Sequence, residues 1–179
     1  MRILIFILTI FISEIKAQNI PYTFQAHAGI LAGNQVKPSF TVQIFNGIRI
    51  DKWNTEAGIT SGIDIYDQIT ILPLSAGFKW IPFKNGSLIP FIGLNAGYGF
   101  EWLKRKVNSR RYEGGTMFNQ SFGIRLRNKW KAKMDFGIGF KQQRASIYSP
   151  FYDERGRLRN AIEEKYKFSR LSITYGLSF

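Results

Sequence analysis

The stretch that decides the fold is Lys167–Phe179, KFSRLSITYGLSF. Apolar side chains recur at every second position and end at Phe179, while arginine, serine, threonine and glycine occupy most of the positions between them. Successive side chains of a β-strand point to opposite faces, so this pattern predicts a strand with one apolar and one polar face. We expect such a strand to run to its last residue only if a partner strand covers it.

Seven further segments alternate in the same way. Each is close to the length, about 9 to 11 residues, that a tilted strand needs to cross a lipid bilayer. In chain order they are 22–32, 40–50, 54–65, 70–80, 88–102, 118–127 and 133–142. No stretch after Gln18 has helical periodicity, so the sequence predicts an all-β chain of eight antiparallel strands.

The connections between these segments have a second pattern. Tight turns occupy every second connection, and the two longest connections, 104–115 and 143–164, fall among the others. Up-and-down barrels of outer membranes have short turns at the periplasmic end and longer loops outside. A barrel also pairs its last strand with its first, because an unpaired strand edge in lipid has no water to satisfy it. Barrel closure therefore explains an apolar residue at the end of the last strand.

The composition of the two faces indicates which one meets lipid. Glycine, serine, threonine and asparagine dominate the polar face, and long charged side chains are scarce on it. A soluble carrier barrel would show the reverse, with many charges facing water. Four tryptophans lie at or near predicted strand ends, where an indole ring can sit among lipid headgroups: Trp53, Trp80, Trp102 and Trp130. We therefore expect lipid outside and a polar lumen inside.

The first residues, MRILIFILTIFISEIKA, predict a cleaved secretory signal peptide at 1–17 followed by one barrel domain at 18–179. Their apolar run is too short to cross a membrane as a helix. The chain has no cysteine, which excludes disulfides and thiolate metal sites. A net charge of +13 favours partners that carry phosphate, but does not choose among nucleic acid, anionic lipid and lipopolysaccharide.

Three stretches, SITYGLSF, LPLSAGFKW and IPFIGLNAGYGF, resemble small outer-membrane β-barrel proteins of Gram-negative bacteria. The likeness is to the OmpX, OmpA-transmembrane-domain and OmpW kind, and to the "outer membrane protein beta-barrel domain" proteins of Bacteroidetes. It implies an eight-stranded antiparallel up-and-down transmembrane β-barrel in the bacterial outer membrane, with outer-membrane lipid and lipopolysaccharide as partners. It also implies that the outer-membrane assembly machinery reads the C-terminal strand through Tyr175, Leu177 and Phe179.

An eight-stranded barrel has an interior that side chains can fill, and buried charges there must be paired. We expect a plugged lumen held by ion pairs among ten charged residues that the alternation places inside. They are Arg49, Glu56, Asp64, Lys79, Glu101, Arg125, Arg127, Asp135, Lys141 and Arg170. A narrow pore lined by the same charges is the rival interpretation.

One loop is strongly basic and would face lipopolysaccharide phosphates if it lies outside the cell. Its cationic residues are Lys104, Arg105, Lys106, Arg110 and Arg111. An ordinary solvated loop has the same composition. Nucleic-acid binding is not predicted, because Tyr112 alone offers a stacking ring.

The chain has a single histidine, His27, so no multi-histidine metal site and no cofactor is predicted. Outer-membrane lipid A deacylases carry a serine two residues from their histidine, whereas here Ala28 and Gly29 follow it. We therefore predict a non-enzymatic outer-membrane protein with a structural or surface-interaction role. The alternatives are a small-solute pore or transporter of apolar compounds and a soluble periplasmic carrier barrel.

Overall fold

A computed structural model describes residues 21–33, 37–66, 69–83, 85–101, 111–127, 132–152 and 158–179. Within these ranges the chain is almost entirely β-strand, with one 3-10 helix at Asp51–Trp53. The strands are β1 Tyr22–Ala32, β2 Ser39–Ile50, β3 Thr55–Ile65, β4 Thr70–Trp80, β5 Leu88–Glu101, β6 Arg111–Glu113, β7 Gly115–Leu126, β8 Lys133–Tyr152 and β9 Leu158–Ser178. No helix of the described part is long and apolar enough to cross a membrane. The predicted signal peptide lies outside the described residues.

Eight of these strands form a closed antiparallel barrel. Each long strand pairs with the next in the chain, and β9 pairs back onto β1 from Gln25 opposite Ser178 to Ala32 opposite Leu171. Past this ladder, the backbone N–H of Phe179 donates to the carbonyl of Phe24 at 2.8 Å. The eight-stranded up-and-down barrel predicted from the sequence is confirmed.

Alternation along the strands places the apolar side chains on the outer wall. Ile59, Phe122 and Ile138 are each more than half exposed, and similar residues follow one another around every strand. The inner face carries threonine, serine, glutamine and paired charges, many of them fully buried. The outer wall is therefore an apolar belt, the arrangement of a barrel surrounded by lipid and the reverse of a soluble carrier.

The two ends of the barrel differ. At one end, which we call the turn end, lie the 3-10 helix, the connection 81–87 and Phe179. At the opposite end, the loop end, β8 and β9 continue past the rest of the barrel as a two-stranded ribbon, residues 143–152 and 158–168. Short β6 pairs with this ribbon through Arg111 opposite Tyr148.

The ribbon gives the form of the last connection, which the sequence predicted to be long enough for a surface hairpin or a binding element. Most of the segment 143–164 is paired. The pairing runs in register from Gln143 opposite Phe168 to Phe151 opposite Asn160, and after a shift of register Tyr152 lies opposite Leu158. Above the apolar belt neither face of the two strands meets lipid, so the apolar–polar contrast that marks the other strands fades there. Backbone pairing nevertheless continues, because the register set inside the barrel carries on along both strands.

We predict that Ile138→Arg lowers the free energy of unfolding by about 2–4 kcal/mol, because it places a charge near the middle of the apolar belt. Ile138 is 58% exposed and pairs with Ile173. The matched control is Leu88→Arg, which changes an equally exposed aliphatic residue at the turn end and should cost about 0–1 kcal/mol. Urea unfolding of protein refolded in lipid vesicles measures both. Equal effects of the two variants would contradict a lipid-facing wall.

Candidate functional site in the barrel lumen

Four charged side chains from four strands meet inside the barrel near the turn end. Glu56 of β3 lies directly opposite Lys79 of β4, and Arg125 of β7 lies directly opposite Asp135 of β8. All four occupy inward positions of their strands and are at most 9% exposed. The two pairs approach each other across the lumen, so that residues far apart in the sequence form one cluster, which we call the lumen network.

Arg125 is the centre of the lumen network. Its Nη1 donates to Glu56 Oε1 at 2.6 Å and its Nη2 donates to Glu56 Oε2 at 3.1 Å. Its Nε and Nη2 also donate to the two carboxylate oxygens of Asp135, at 2.7 and 2.9 Å. The planar guanidinium thus forms a two-pronged contact with each carboxylate, a geometry that lysine cannot provide.

Lys79 and Gln25 complete the lumen network. The ammonium of Lys79 donates to Asp135 Oδ2 at 3.0 Å and to the side-chain carbonyl of Gln25, and it lies 4.4 Å above the ring of Phe91. The amide of Gln25 donates to Glu56 at 2.5 Å. Two cations therefore balance two anions, and the network joins β1, β3, β4, β7 and β8.

A second ion pair lies closer to the loop end. The ammonium of Lys141 donates to Asp64, and the hydroxyl of Thr41 donates to the same carboxylate at 2.7 Å. Lys141 and Asp64 are at most 1% exposed. A buried charge is costly without a partner, and each member of this pair supplies the opposite charge for the other.

An apolar layer closes the lumen above the second ion pair. Tyr66 stacks on Phe168 with 4.6 Å between ring centroids, and the guanidinium of Arg170 lies 6.0 Å from the Tyr66 ring. Burial raises the pKa of the Tyr66 hydroxyl well above its usual range, so the ring stays neutral. The buried residues packed around these rings are Leu31, Ile69, Ile71 and Ala145.

A small cavity separates the lumen network from the second ion pair. Its volume is about 60 Å³, and His27, Gln43, Asn95 and Asn119 are among its lining residues. It is large enough to hold water, and its polar lining offers the partners that buried water needs. His27 Nε2 lies 3.7 Å from Asp135 Oδ2, which places the single histidine beside the lumen network.

The remaining residues of the predicted lumen set lie apart from the network. Arg49 donates to Asp51 at 3.0 Å near the turn end, and Arg127 is exposed just past the end of β7. Glu101 ends β5 at the loop end. These three positions follow the inward alternation, but they lie near the ends of their strands. Arg127 is exposed there, whereas Arg49 and Glu101 are half-buried. Arg49 and Arg127 therefore lie at the turn-end rim, and no hydrogen bond of the lumen network described above involves either of them.

Most of the predicted basic loop, namely Lys104, Arg105, Lys106 and Arg110, lies outside the described residues, and Arg111 falls in β6. Tyr175 and Phe179 of the predicted assembly signal are exposed on the outer wall and Leu177 is half-buried there. Among the described residues, no group of three or more histidine, aspartate or glutamate side chains is arranged to hold a metal ion.

The aromatic filling of the lumen was not predicted from the sequence. Phe45 and Phe91 point inward and are 5% exposed. Glycines make room for them, because a Cβ at Gly123 would lie 2.4 Å from the Phe91 ring and one at Gly77 would lie 3.0 Å from the Phe45 ring. The sequence does contain a signal for this filling, namely an apolar residue at an inward position with glycines at inward positions of neighbouring strands.

Replacing Arg125 should destabilise the barrel strongly. We predict that Arg125→Gln costs about 3–5 kcal/mol of unfolding free energy, because Glu56 and Asp135 would both lose their main counter-charge in a closed lumen. Adding Glu56→Gln to this variant should recover part of the loss, because Lys79 then neutralises Asp135. Urea unfolding in lipid vesicles, followed by tryptophan fluorescence, gives the comparison.

The control for that experiment is Arg127→Gln, two residues further along the same face of the chain and exposed to water. We expect it to change the unfolding free energy by less than about 0.5 kcal/mol. An Arg125→Gln variant as stable as the Arg127→Gln variant would contradict the lumen network.

Comparisons with known proteins agree with this architecture. A comparison with protein-family models gives no match, and neither does a comparison with curated protein sequences. Among solved structures, the chain is similar to outer membrane protein AlkL, determined by solid-state NMR in DMPC lipid bilayers. The TM-score is 0.53 at 11% sequence identity, and the match covers 91% of each chain. The closed ladder, the apolar outer wall and this likeness identify the fold as that of a small outer-membrane β-barrel.

Proposed function

We propose that this chain is a non-conducting, non-enzymatic barrel of the outer membrane with a structural or surface-interaction role. The observation that carries the proposal is the lumen network, in which Arg125 bridges Glu56 and Asp135 across the interior. An eight-stranded barrel is narrow enough for side chains to fill, and here paired charges fill it at one level. Lys141 with Asp64 and the apolar layer add two further levels.

The same arrangement supports a structural role. Hydrogen bonds of the lumen network tie together five strands that are distant in the sequence, which opposes unfolding of any single hairpin. Every cation in the network has an anionic partner, so an entering ion would have to displace an existing pair. Both effects favour a rigid, closed barrel over a conducting one.

Enzymatic chemistry has little support in the lumen. His27 faces the small central cavity, with the lumen network on one side and the second ion pair on the other. A lipid substrate has no route to it without breaking one of these layers. We therefore assign His27 to the packing and hydrogen bonding of the lumen.

A surface role would fall to the parts of the chain at the loop end. The ribbon of β8 and β9 stands beyond the apolar belt, and the basic segment Lys104–Arg111 lies between β5 and β6 in the chain. With the loop end outside the cell, these elements meet the lipopolysaccharide layer and whatever lies beyond it. The C-terminal strand would serve the assembly machinery before the barrel closes.

Transport of small apolar compounds is a second candidate. The apolar layer around Tyr66, Phe168 and Leu31 favours it, because aromatic and aliphatic side chains at the loop end would accept such a compound. In this case the layer would be a binding surface rather than a seal. The lumen network below it would still have to open, and that requirement makes transport the weaker candidate.

Ion conductance tests the proposed closure. We expect the refolded chain from Gln18 to Phe179 to give no discrete current steps in a planar lipid bilayer, because the charges of the lumen network are paired and desolvated. Folding is verified beforehand by the shift in gel mobility on boiling, and boiled protein serves as the control. Reproducible steps from folded protein that are absent with boiled protein would contradict a plugged lumen.

A further inference from the structure

The outer face of β8 and β9 changes character abruptly along the strands. Apolar pairs cover it through the membrane belt, then one polar pair follows, and then two cations stand opposite each other. In order toward the loop end, the outward pairs are Ile138 with Ile173, Phe140 with Leu171, Gln142 with Ser169 and Arg144 with Lys167. The cations thus lie two strand repeats beyond the last apolar pair, at the height where lipid headgroups begin.

The pair of Arg144 and Lys167 is unfavourable by itself. Like charges directly opposite each other on neighbouring antiparallel strands repel and destabilise the pairing. Both side chains are exposed, and no carboxylate of the described residues lies within ion-pair distance of either one. By contrast, Lys165 on the next repeat lies 3.8 Å from Glu163. The repulsion therefore has no compensation from the described part of the chain.

A groove lined by Lys167, the β9 member of this pair, leads from it to the apolar belt. The ladder between β1 and β9 ends with Ala32 opposite Leu171, while β9 continues along β8. The groove that Ala32 and Gly33 border at this point has a volume of about 550 Å³. Its lining includes Lys167 and Ser169 at the upper level, with Phe140 and Leu171 below them.

We propose that Arg144 and Lys167 bind the phosphate group of an outer-leaflet lipid, whose acyl chain lies against Phe140 and Leu171. An anion shared by the two cations converts their mutual repulsion into attraction for the lipid. Arginine contacts phosphate with two parallel hydrogen bonds, and lysine adds a second positive charge. The groove supplies the apolar surface that the first carbons of an acyl chain need.

The position of the site favours a lipid over a soluble phosphate compound. The two cations lie further from the membrane centre than the apolar residues, just as the phosphate of a lipid lies further out than its acyl chains. The apolar part of the site is continuous with the membrane-facing wall. Free inorganic phosphate would use the two cations alone. The bound lipid also fills the place beside β9 where pairing with β1 has ended. This inference depends on membrane insertion but not on whether the lumen conducts.

The test is the affinity for lipid A, which carries phosphate groups and acyl chains. Lipid A is titrated into the refolded chain from Gln18 to Phe179 in zwitterionic detergent micelles, and the bound fraction is read by native mass spectrometry. A cation at a membrane surface contributes enough that we expect about fivefold weaker binding for Arg144→Gln or Lys167→Gln, and about 25-fold for the double variant. An unchanged affinity of the double variant would overturn the proposal.

Two controls separate this site from general electrostatic attraction. Lys165→Gln removes the same charge one repeat further from the apolar belt, and Lys52→Gln removes it from the exposed 3-10 helix at the turn end. Both should leave the affinity unchanged. A loss with Lys165→Gln equal to that with Lys167→Gln would show attraction to the basic surface as a whole and would overturn the site.

The source of the phosphate is tested in the same micelles. Lipid A stripped of its phosphates should bind wild type and double variant equally, and excess inorganic phosphate should not displace intact lipid A. Displacement by inorganic phosphate would mean that a free anion, rather than a lipid, occupies the cations. As a check independent of binding, the double variant should unfold in alkyl maltoside micelles, which carry no phosphate, at the same or a higher urea concentration than wild type, since it removes a repulsion. A marked fall there would mean that the cations stabilise the fold without lipid and would also contradict the proposal.

Discussion

The rest of the structure depends on one constraint, which is that lipid offers no hydrogen bonds to a protein backbone. Every strand inside the membrane must therefore have two partners. The chain meets this requirement by pairing β9 with β1 over eight residues, with further backbone bonds between Phe179 and Phe24. The aromatic residue Phe179 can follow the last strand because its backbone is paired with Phe24, so no strand edge is left unpaired there.

Closure with eight strands then sets the chemistry of the interior. The lumen is narrow, so its wall needs small residues wherever a large side chain crosses it. Gly123, for example, makes room for the ring of Phe91. Charges inside must cancel at short range, because water is largely displaced. The lumen network cancels its charges in this way. The guanidinium of Arg125 contacts the carboxylates of Glu56 and Asp135, and the ammonium of Lys79 supplies the second positive charge. A rigid, filled barrel follows from the same restriction that closes it.

Period-two alternation was sufficient to predict the barrel and the direction that each strand face points. It identified Glu56, Arg125 and Asp135 as inward residues that could form ion pairs, but not which of the ten inward charges meet. Contacts across the lumen depend on the register of every intervening pair, and a slip of one residue would turn a charge to the lipid face. Arg49 and Arg127 show a second limit of the alternation as a predictor of the lumen network. Both occupy inward positions, yet they lie at the rim of the barrel, where an inward side chain can still reach solvent. For the ribbon, the sequence allowed a surface hairpin but did not show where its strands run. Residues beyond the membrane lose the contrast between the two faces, although backbone pairing continues.

The central claim is that Arg125 joins two carboxylates across a closed lumen while the protein is in a membrane. Solid-state NMR of the refolded chain in lipid bilayers measures this contact directly, with labelled arginine side-chain nitrogens and labelled aspartate and glutamate carboxyl carbons. We predict cross-peaks from the Arg125 guanidinium to both Asp135 and Glu56, and no exchange of its protons with bulk water on the same timescale. Strong water cross-peaks at Arg125 without either carboxylate contact would show a hydrated, open lumen and contradict the account.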